Sequence, residues 1–259
     1  SKFLKSRLSL GRAPNFLIIG AAKCGTTSLM KYIEEYGDNV KAPMVKEPRY
    51  FSEFPNLPVS HYHANFSIFQ GGVTGEATPD YLYYQKSPKL IKEYGQVSKF
   101  VVLLRDPVAR AYSQYAFQNY INKSEVCDPL SFSNAIRQLD DRFYVDPEVR
   151  FYSEYKHYSY VQRGYYYAQL KRWYQYFSPN QFHIMFLEEL SQDFSGEMIK
   201  LLDFLNIDYN GKPMTQVIHN QSNSDDVPNL CSGDKEFLKE CFREPNKNLF
   251  KLLNRTPLW

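Results

Sequence analysis

A short apolar segment followed at once by a glycine-bearing loop is the feature that most constrains the fold of this chain. Residues 16–19 are apolar with β-branched content, which is typical of a buried strand. Residues 27–35 then show the apolar periodicity of an amphipathic helix. A glycine loop between a strand and a helix directs backbone N–H groups towards an anion. The sequence therefore predicts an anion-binding loop over residues 20–28.

The order of residues within this loop distinguishes it from the common nucleotide-binding loop. In that motif the lysine follows the second glycine, whereas here Lys23 precedes Gly25. Gly25 still lets the backbone approach an anion, and Lys23 can reach one of its oxygens. A purely structural turn is the alternative for a short motif of this kind. The candidate anion-binding residues of the loop are Lys23, Cys24, Gly25, Thr26, Thr27 and Ser28.

A second motif follows another predicted strand. Residues 100–104 form an apolar run that ends at Arg105, and Pro107 is well placed to begin a helix. Ser113 lies about two helical turns beyond Arg105. A guanidinium fork and a hydroxyl can together bind one phosphate. The alternative is that Arg105 pairs with a carboxylate.

Apolar strands alternate with helical segments along the rest of the chain. Residues 182–186 have the character of a strand, and residues 195–205 and 234–253 have the character of helices. This alternation predicts an α/β fold, with a parallel β-sheet flanked by helices on both faces. Because no linker is visible, we expect a single domain over residues 1–259.

Charge and cysteine spacing argue against several kinds of partner. A net charge of +3 is too small for a nucleic-acid-binding domain, and no apolar run approaches the ~20 residues of a membrane span. Residues 1–12 lack the apolar core of a signal peptide, although an anchor upstream of Ser1 stays open.

No cysteine has the spacing of a zinc ligand, so we expect no metal site. Cys231 and Cys241 could pair in a disulfide.

Together the two motifs resemble the 5′-phosphosulfate loop and the 3′-phosphate motif of sulfotransferases that use 3′-phosphoadenosine 5′-phosphosulfate (PAPS). The resemblance is closest to carbohydrate sulfotransferases that modify glycosaminoglycans and to their bacterial relatives, and it extends over residues 15–259. Further segments that carry it are KEPRYF (residues 46–51), GEATPDY (75–81), GYYYAQLKRW (164–173) and FREPNK (242–247).

The resemblance implies the sulfotransferase fold, PAPS as the sulfuryl donor and 3′,5′-ADP as a product. It implies that Lys23 stabilises the bridging oxygen of the donor as that oxygen leaves. It also implies that the remaining loop residues, with Arg105 and Ser113, bind the donor, and that Glu47 is the general base. A carboxylate suits that role if apolar neighbours raise its pKa. The alternatives are that Glu47 is ion-paired, since Lys46 and Arg49 are close in sequence, or that His61 or His63 is the base.

The acceptor implied by the resemblance is a hydroxyl, which we expect to belong to a glycan. Candidate acceptor-binding residues are Lys46, Arg49, His63, Glu76, Arg163 and Tyr165. Ala77 stands where heparan-sulfate members have a functional lysine, and their cysteine-bridged hairpin has no counterpart in residues 222–232.

Other functions stay open at this stage. The acceptor could instead be a lipid, a polyketide or a small metabolite. The displaced lysine argues against a P-loop kinase or NTPase, and a non-catalytic nucleotide binder is a further alternative. The resemblance implies that the protein is located in the cytoplasm if the chain is bacterial, and in the Golgi lumen if it is a trimmed eukaryotic enzyme.

Overall fold

The computed structural model of the chain describes residues 11–66, 72–121, 127–138, 157–216 and 229–259. The chain divides into two compact units. The sheet unit comprises Ser1–Leu104 and Leu170–His219, and the helical unit comprises Arg105–Gln169 and Asn220–Trp259. The expectation of a single domain over residues 1–259 stays a prediction.

The sheet unit is built on a parallel sheet whose strands were partly visible in the sequence. Within the described residues, five strands lie in the order β2-β3-β1-β4-β5, and each neighbouring pair is parallel. The strands are β1 (Phe16–Gly20), β2 (Val40–Lys41), β3 (Val73–Ala77), β4 (Phe100–Leu104) and β5 (Phe182–Phe186). Because every residue of β1 and β4 is buried, the sheet is covered on both faces at these central strands. The predicted α/β fold class is confirmed.

Helices follow the strands along the chain, and those at residues 26–36, 107–116, 194–205 and 232–253 lie close to the predicted positions. Those of the sheet unit are α1 (Thr26–Tyr36), α2 (Val59–His63), α3 (Asp80–Tyr83), α4 (Ser87–Tyr94), α8 (Leu187–Gln192) and α9 (Phe194–Leu205). Those of the helical unit are α5 (Pro107–Ala116), α6 (Phe132–Arg137) and α10 (Ser232–Leu253). The helix α7 (Tyr166–Trp173) spans the point at which the chain passes from the helical unit back to the sheet unit.

Close packing fixes the end of β1, from which the predicted loop departs. A Cβ atom added to Gly20 would lie 2.6 Å from Cβ of Leu82 on α3, so this position accepts no larger residue without movement of the backbone. The N–H of Ala21 then donates to the carbonyl oxygen of Leu103 at 2.8 Å, which ties the start of the loop to β4. The loop therefore begins from a position held by two neighbouring elements.

The helical unit has its own apolar core and an ion pair in which only the carboxylate is buried. Its core residues are Val108, Ala111, Tyr115, Phe132, Ala135, Ile136, Tyr160, Val161, Leu238 and Phe242. At the start of α10, Asp234 is only 5% exposed and accepts hydrogen bonds from Ser133 Oγ at 2.8 Å and Arg137 Nη1 at 2.5 Å. These contacts join α6 to α10.

The cysteines do not form the disulfide left open by the sequence. Cys231 and Cys241 are both free. Cys231 precedes the first residue of α10 and Cys241 lies within the same helix, so about 15 Å of helix separates them. A disulfide requires Cα atoms within about 7 Å, so an intact α10 excludes this pairing.

Candidate functional site

The predicted anion-binding loop is a tight turn with two residues in the left-handed region. Lys23 has φ 67° and Gly25 has φ 91°. The N–H of Cys24 donates to the carbonyl oxygen of Ala21 at 3.2 Å, and α1 begins directly after Gly25. A Cβ atom at Gly25 would make only ordinary contacts of 3.7 Å with Leu103 and Leu187, so its backbone angle rather than crowding requires glycine.

The first turn of α1 presents hydrogen-bond donors and no negative charge. No acidic residue lies in this turn, and the first N–H groups of a helix have no partner within the helix. Gly25 is exposed and Thr27 is half-buried, whereas Thr26 and Ser28 are buried. The hydroxyl of Ser28 is already hydrogen-bonded to Tyr32. The turn can therefore bind an anion chiefly through backbone N–H groups and the Thr27 side chain.

Cys24 can contribute little to ligand binding through its side chain. The residue is 0% exposed, and its thiol lies 3.8 Å from the carbonyl oxygen of Ala22. Its N–H is the group that donates to Ala21. A donor-binding role for Cys24, which stays a prediction, would thus depend on holding the shape of the loop.

The candidate base Glu47 lies in a second turn with unusual backbone angles. Glu47 has φ 50° and Arg49 has φ 54°. Arg49 Nη2 donates to Glu47 Oε2 at 2.8 Å, and Arg49 Nη1 lies 3.6 Å from Oε1 of Glu53. The carboxylate side chain is 19% exposed. The ion pair considered in the sequence is therefore present, and it leaves part of the Glu47 carboxylate accessible.

A buried carboxylate lies beneath this turn. Glu76, on β3, is 0% exposed. Its Oε1 accepts hydrogen bonds from Tyr62 Oη at 2.7 Å and Tyr81 Oη at 3.0 Å, and its Oε2 accepts one from Thr78 Oγ1 at 2.5 Å. Burial raises the pKa of Glu76 to about 7, although the three hydrogen bonds act in the opposite direction. Three hydroxyls of the protein surround the Glu76 side chain in this structure, and the predicted contact with the acceptor stays a prediction.

Aromatic rings enclose the same region. Tyr50 stacks on Tyr62 with ring centroids 4.8 Å apart, and Phe51 meets Tyr62 edge-on at 5.1 Å. His63 Nε2 lies 2.6 Å from Tyr94 Oη. Burial lowers the pKa of His63. His63 is thus a half-buried member of an aromatic cluster, whereas the other predicted candidates Lys46 and His61 are exposed.

The predicted 3′-phosphate residues belong to the helical unit. Arg105 follows β4 directly, is half-buried, and its carbonyl oxygen accepts a hydrogen bond from Tyr166 Oη at 3.0 Å. Asp106 caps α5 by accepting from the N–H of Val108 at 3.0 Å. Ser113 is half-buried on that helix, two turns beyond Arg105 as predicted.

The last two acceptor candidates differ in accessibility. Arg163 is only 5% exposed, which leaves little of it available to a ligand in this structure. Tyr165 is half-buried and packs edge-on against Phe242 at 5.7 Å. It also lines an open cavity of about 350 Å³ together with Tyr167, Ala168, Glu244, Pro245 and Asn248.

Several residues of the buried network were missed in the sequence. Thr78 and Tyr81 lie in the GEATPDY segment, so their position beside Glu76 could have drawn attention to them. Tyr62 and Tyr94 carried no signal, because the chain contains 22 tyrosines and nothing local distinguishes these two.

No group of three His, Cys, Asp or Glu residues suited to a metal ion occurs within the described residues. Across the same residues, no helix is long and apolar enough to cross a bilayer.

Comparison with known proteins identifies the family. The sequence profile of the sulfotransferase domain matches residues 13–250. Membrane-associated sulfotransferase kil1 of Dictyostelium discoideum is 26% identical, over 95% of this chain and 66% of the relative. Human heparan sulfate glucosamine 3-O-sulfotransferase 3B1 is 28% identical, over 75% of this chain and 46% of the relative. The chain thus spans about half to two thirds of the length of these relatives.

Solved structures agree with this match. A sulfotransferase from Alicyclobacillus acidocaldarius has a TM-score of 0.67 and 25% identity, and the alignment covers 95% of this chain and 97% of that one. Mouse sulfotransferase SULT7A1, solved in complex with PAP, has a TM-score of 0.54 and 17% identity, with coverage of 98% and 92%. The second likeness concerns the fold alone. The profile match over most of its length shows that this chain belongs to the sulfotransferase domain family.

Proposed function

We propose that this chain is a PAPS-dependent O-sulfotransferase that transfers a sulfuryl group to a hydroxyl of a glycan and releases 3′,5′-ADP. The observation that carries the proposal is the turn after β1, in which Lys23 and Gly25 adopt left-handed angles directly before the uncapped start of α1. A turn of this kind, next to a helix N-terminus without acidic residues, favours a phosphate or sulfate group.

The residues of this turn suit the anionic end of PAPS. Gly25 is exposed and bears no side chain, so the backbone can approach a ligand closely. The N–H groups of the first turn supply donors, and the half-buried Lys23 supplies a positive charge. PAPS would bring the activated sulfuryl group. We assign Lys23 to the stabilisation of negative charge on the bridging oxygen as the donor bond breaks.

Glu47 is the proposed general base. A base must accept the proton of the acceptor hydroxyl as the new S–O bond forms. The Glu47 carboxylate is partly exposed and oriented by its ion pair with Arg49. This arrangement agrees with its place in the KEPRYF segment. Arg105 and Ser113 are proposed to bind the 3′-phosphate, a role supported by the resemblance of residues 105–115 to the family motif.

A glycan is the proposed acceptor because relatives at 28% identity are named heparan sulfate sulfotransferases. The exposed Lys46 and the 35%-exposed Arg49 next to Glu47 supply positive charge for an anionic sugar chain. Tyr165 supplies an aromatic surface suited to a sugar face.

Donor recognition can be tested by thermal unfolding with matched nucleotides. We expect 3′,5′-ADP to raise the melting temperature, by an amount that corresponds to about 2.7 kcal/mol at one hundred times Kd. ATP with Mg²⁺ should do much less, because it lacks the 3′-phosphate. Equal stabilisation by both nucleotides would contradict the PAPS assignment.

The acceptor can be tested by transfer of radiolabel from PAPS. Desulfated heparan and chondroitin chains, long-chain alcohols and small hydroxyl metabolites are offered in parallel. Label on the glycans alone supports the proposed acceptor. Label on a lipid or small alcohol alone would replace it while leaving the donor assignment intact.

A further inference from the structure

Glu76 is connected to the backbone of the Glu47 turn through two hydroxyls. Thr78 Oγ1, which donates to Glu76 Oε2, accepts a hydrogen bond from the N–H of Arg49 at 3.4 Å. Tyr81 Oη, which donates to Glu76 Oε1, accepts one from the N–H of Phe51 at 3.4 Å. One buried carboxylate thus acts on the turn at two points, on either side of Tyr50.

Above the pKa of about 7, the ionised Glu76 carboxylate determines which way these hydroxyls point. Each hydroxyl carries a single proton, and when that proton is donated to Glu76, only lone pairs are left to face the turn. Lone pairs are what the N–H groups of Arg49 and Phe51 require. A hydroxyl that donates to a carboxylate also becomes a stronger acceptor, because hydrogen bonds in a chain polarise one another. Glu76 therefore strengthens both contacts without touching the turn itself.

The turn needs such support because its backbone is strained. Glu47 and Arg49 both have φ near +50°, a region that residues with a Cβ atom adopt at a cost. Beyond the hydrogen bonds above, Phe51 is 2% exposed and its carbonyl oxygen accepts a hydrogen bond from Ser87 Oγ at 2.8 Å. The anchored end of the turn is thus Phe51, and the strained end carries Glu47.

We propose that Glu76 is a positioning residue, which holds the Glu47 carboxylate in place through Thr78 and Tyr81. The inference rests on the proposed function insofar as Glu47 is the base. The part of the inference that concerns structure, namely that Thr78 and Tyr81 bind the backbone of residues 47–51, does not depend on that function. Glu76 is 0% exposed in this structure, so the role proposed here acts through Thr78 and Tyr81.

The test measures the turn and the reaction separately. In Glu76→Gln, one amide N–H would replace a carboxylate oxygen and force a hydroxyl to turn its proton towards the backbone. We expect either the Arg49 amide or the Phe51 amide, depending on which oxygen the NH2 group replaces, to exchange with solvent about tenfold faster, because that N–H loses its hydrogen bond. We expect kcat to fall while KM for PAPS and Kd for 3′,5′-ADP stay unchanged. Thr78→Val should release the Arg49 amide alone, and Thr78→Ser, which keeps the hydroxyl, should restore it.

Tyr36→Phe is the matched control. It removes an equally buried hydroxyl of the sheet unit, which donates to the carbonyl oxygen of Thr215 at 2.8 Å, far along the chain from the turn. It should leave amide exchange in the turn and kcat unchanged.

Unchanged exchange in folded Glu76→Gln and Thr78→Val would overturn the proposal. Faster exchange with unchanged kcat would retain the structural hold and reject Glu47 as the base. If Glu76→Gln does not fold, the contrast between Thr78→Val and Thr78→Ser decides.

Discussion

Arg49 donates a hydrogen bond to the Glu47 carboxylate at 2.8 Å from within the same strained turn. The guanidinium binds one carboxylate oxygen, Oε2, and the Glu47 side chain keeps 19% of its surface exposed. An ion pair and a catalytic role are therefore compatible here, although they were alternatives in the sequence. The first prediction follows from this geometry.

Replacing Glu47 by glutamine should lower kcat by about 10²- to 10⁴-fold, the usual contribution of a positioned base. KM for PAPS should be unchanged, because the residue is not assigned to donor binding. Steady-state kinetics on the purified variant test this, with His63→Ala as the comparison. Retained activity in Glu47→Gln together with loss in His63→Ala would move the base to His63.

Gly25→Ala should weaken binding of 3′,5′-ADP and also destabilise the fold by about 1–2 kcal/mol, because alanine is strained at φ 91°. Gly95→Ala is the matched control, since Gly95 follows α4 with φ 69° and an added Cβ atom would make only ordinary contacts of 3.9 Å. It should cost similar stability with no loss of nucleotide affinity. Calorimetric titration and urea unfolding separate the two effects, and equal affinity loss in both variants would argue against a donor-binding loop.

Glu76 should make the stability of the chain depend on pH. Its pKa is raised from 4.5 to about 7 in the folded state, so the folded chain retains a proton that the unfolded chain has lost. The stabilisation is fully present below pH 4.5 and is lost as pH rises towards 7, by about 3 kcal/mol. Urea unfolding across pH 4.5–8 should show this slope in the native chain and its absence in Glu76→Gln. Glu93→Gln, at an exposed position, should keep the slope.

Asp234→Asn should destabilise the helical unit by about 1–3 kcal/mol at neutral pH, because the buried Asp234 loses the charge that strengthens its hydrogen bonds from Arg137 and Ser133. Burial acts to raise the pKa of Asp234, but hydrogen bonds from Arg137, Cys231 and Ser133 outweigh it and lower that pKa. The stabilisation is therefore present above pH 3.8 and is lost as pH falls further. Chemical unfolding at pH 7 and at pH 3 should show a larger difference between native chain and variant at pH 7.

The sequence predicted the parts of the fold whose signals are local. The central strands β1 and β4 are continuous apolar runs, and the loop between β1 and α1 has glycine at the left-handed position. The strand β3 escaped notice because it contains Gly75 and Glu76. Gly75 makes room for the Phe16 ring of β1, which a Cβ atom would approach to 2.3 Å. The need for glycine at position 75 comes from a side chain of the neighbouring strand, so it produces no periodic pattern in the sequence of β3 itself.

The candidate site was predictable only in part, for a related reason. Lys23, Gly25 and Glu47 belong to short motifs, whereas the partners of Glu76 come from two segments of the chain, one of which holds only Tyr62. Carboxylates are seldom fully buried, so composition gave no reason to place Glu76 inside. Its surroundings depend on which segments the parallel sheet brings together, and this is decided by tertiary structure.

The position of β1 between β3 and β4 has a consequence for biosynthesis. Both neighbours of β1 are encoded later in the chain, and the Leu103 carbonyl that anchors the loop comes at the end of β4. At ordinary translation rates the ribosome needs on the order of ten seconds to pass from β1 to β4. During that interval the entirely apolar strand β1 lacks its β4 neighbour, and β3 is the one neighbour that is synthesised before β4. Nascent chains of this protein should therefore depend on holdase chaperones until residue 104 has left the ribosomal tunnel.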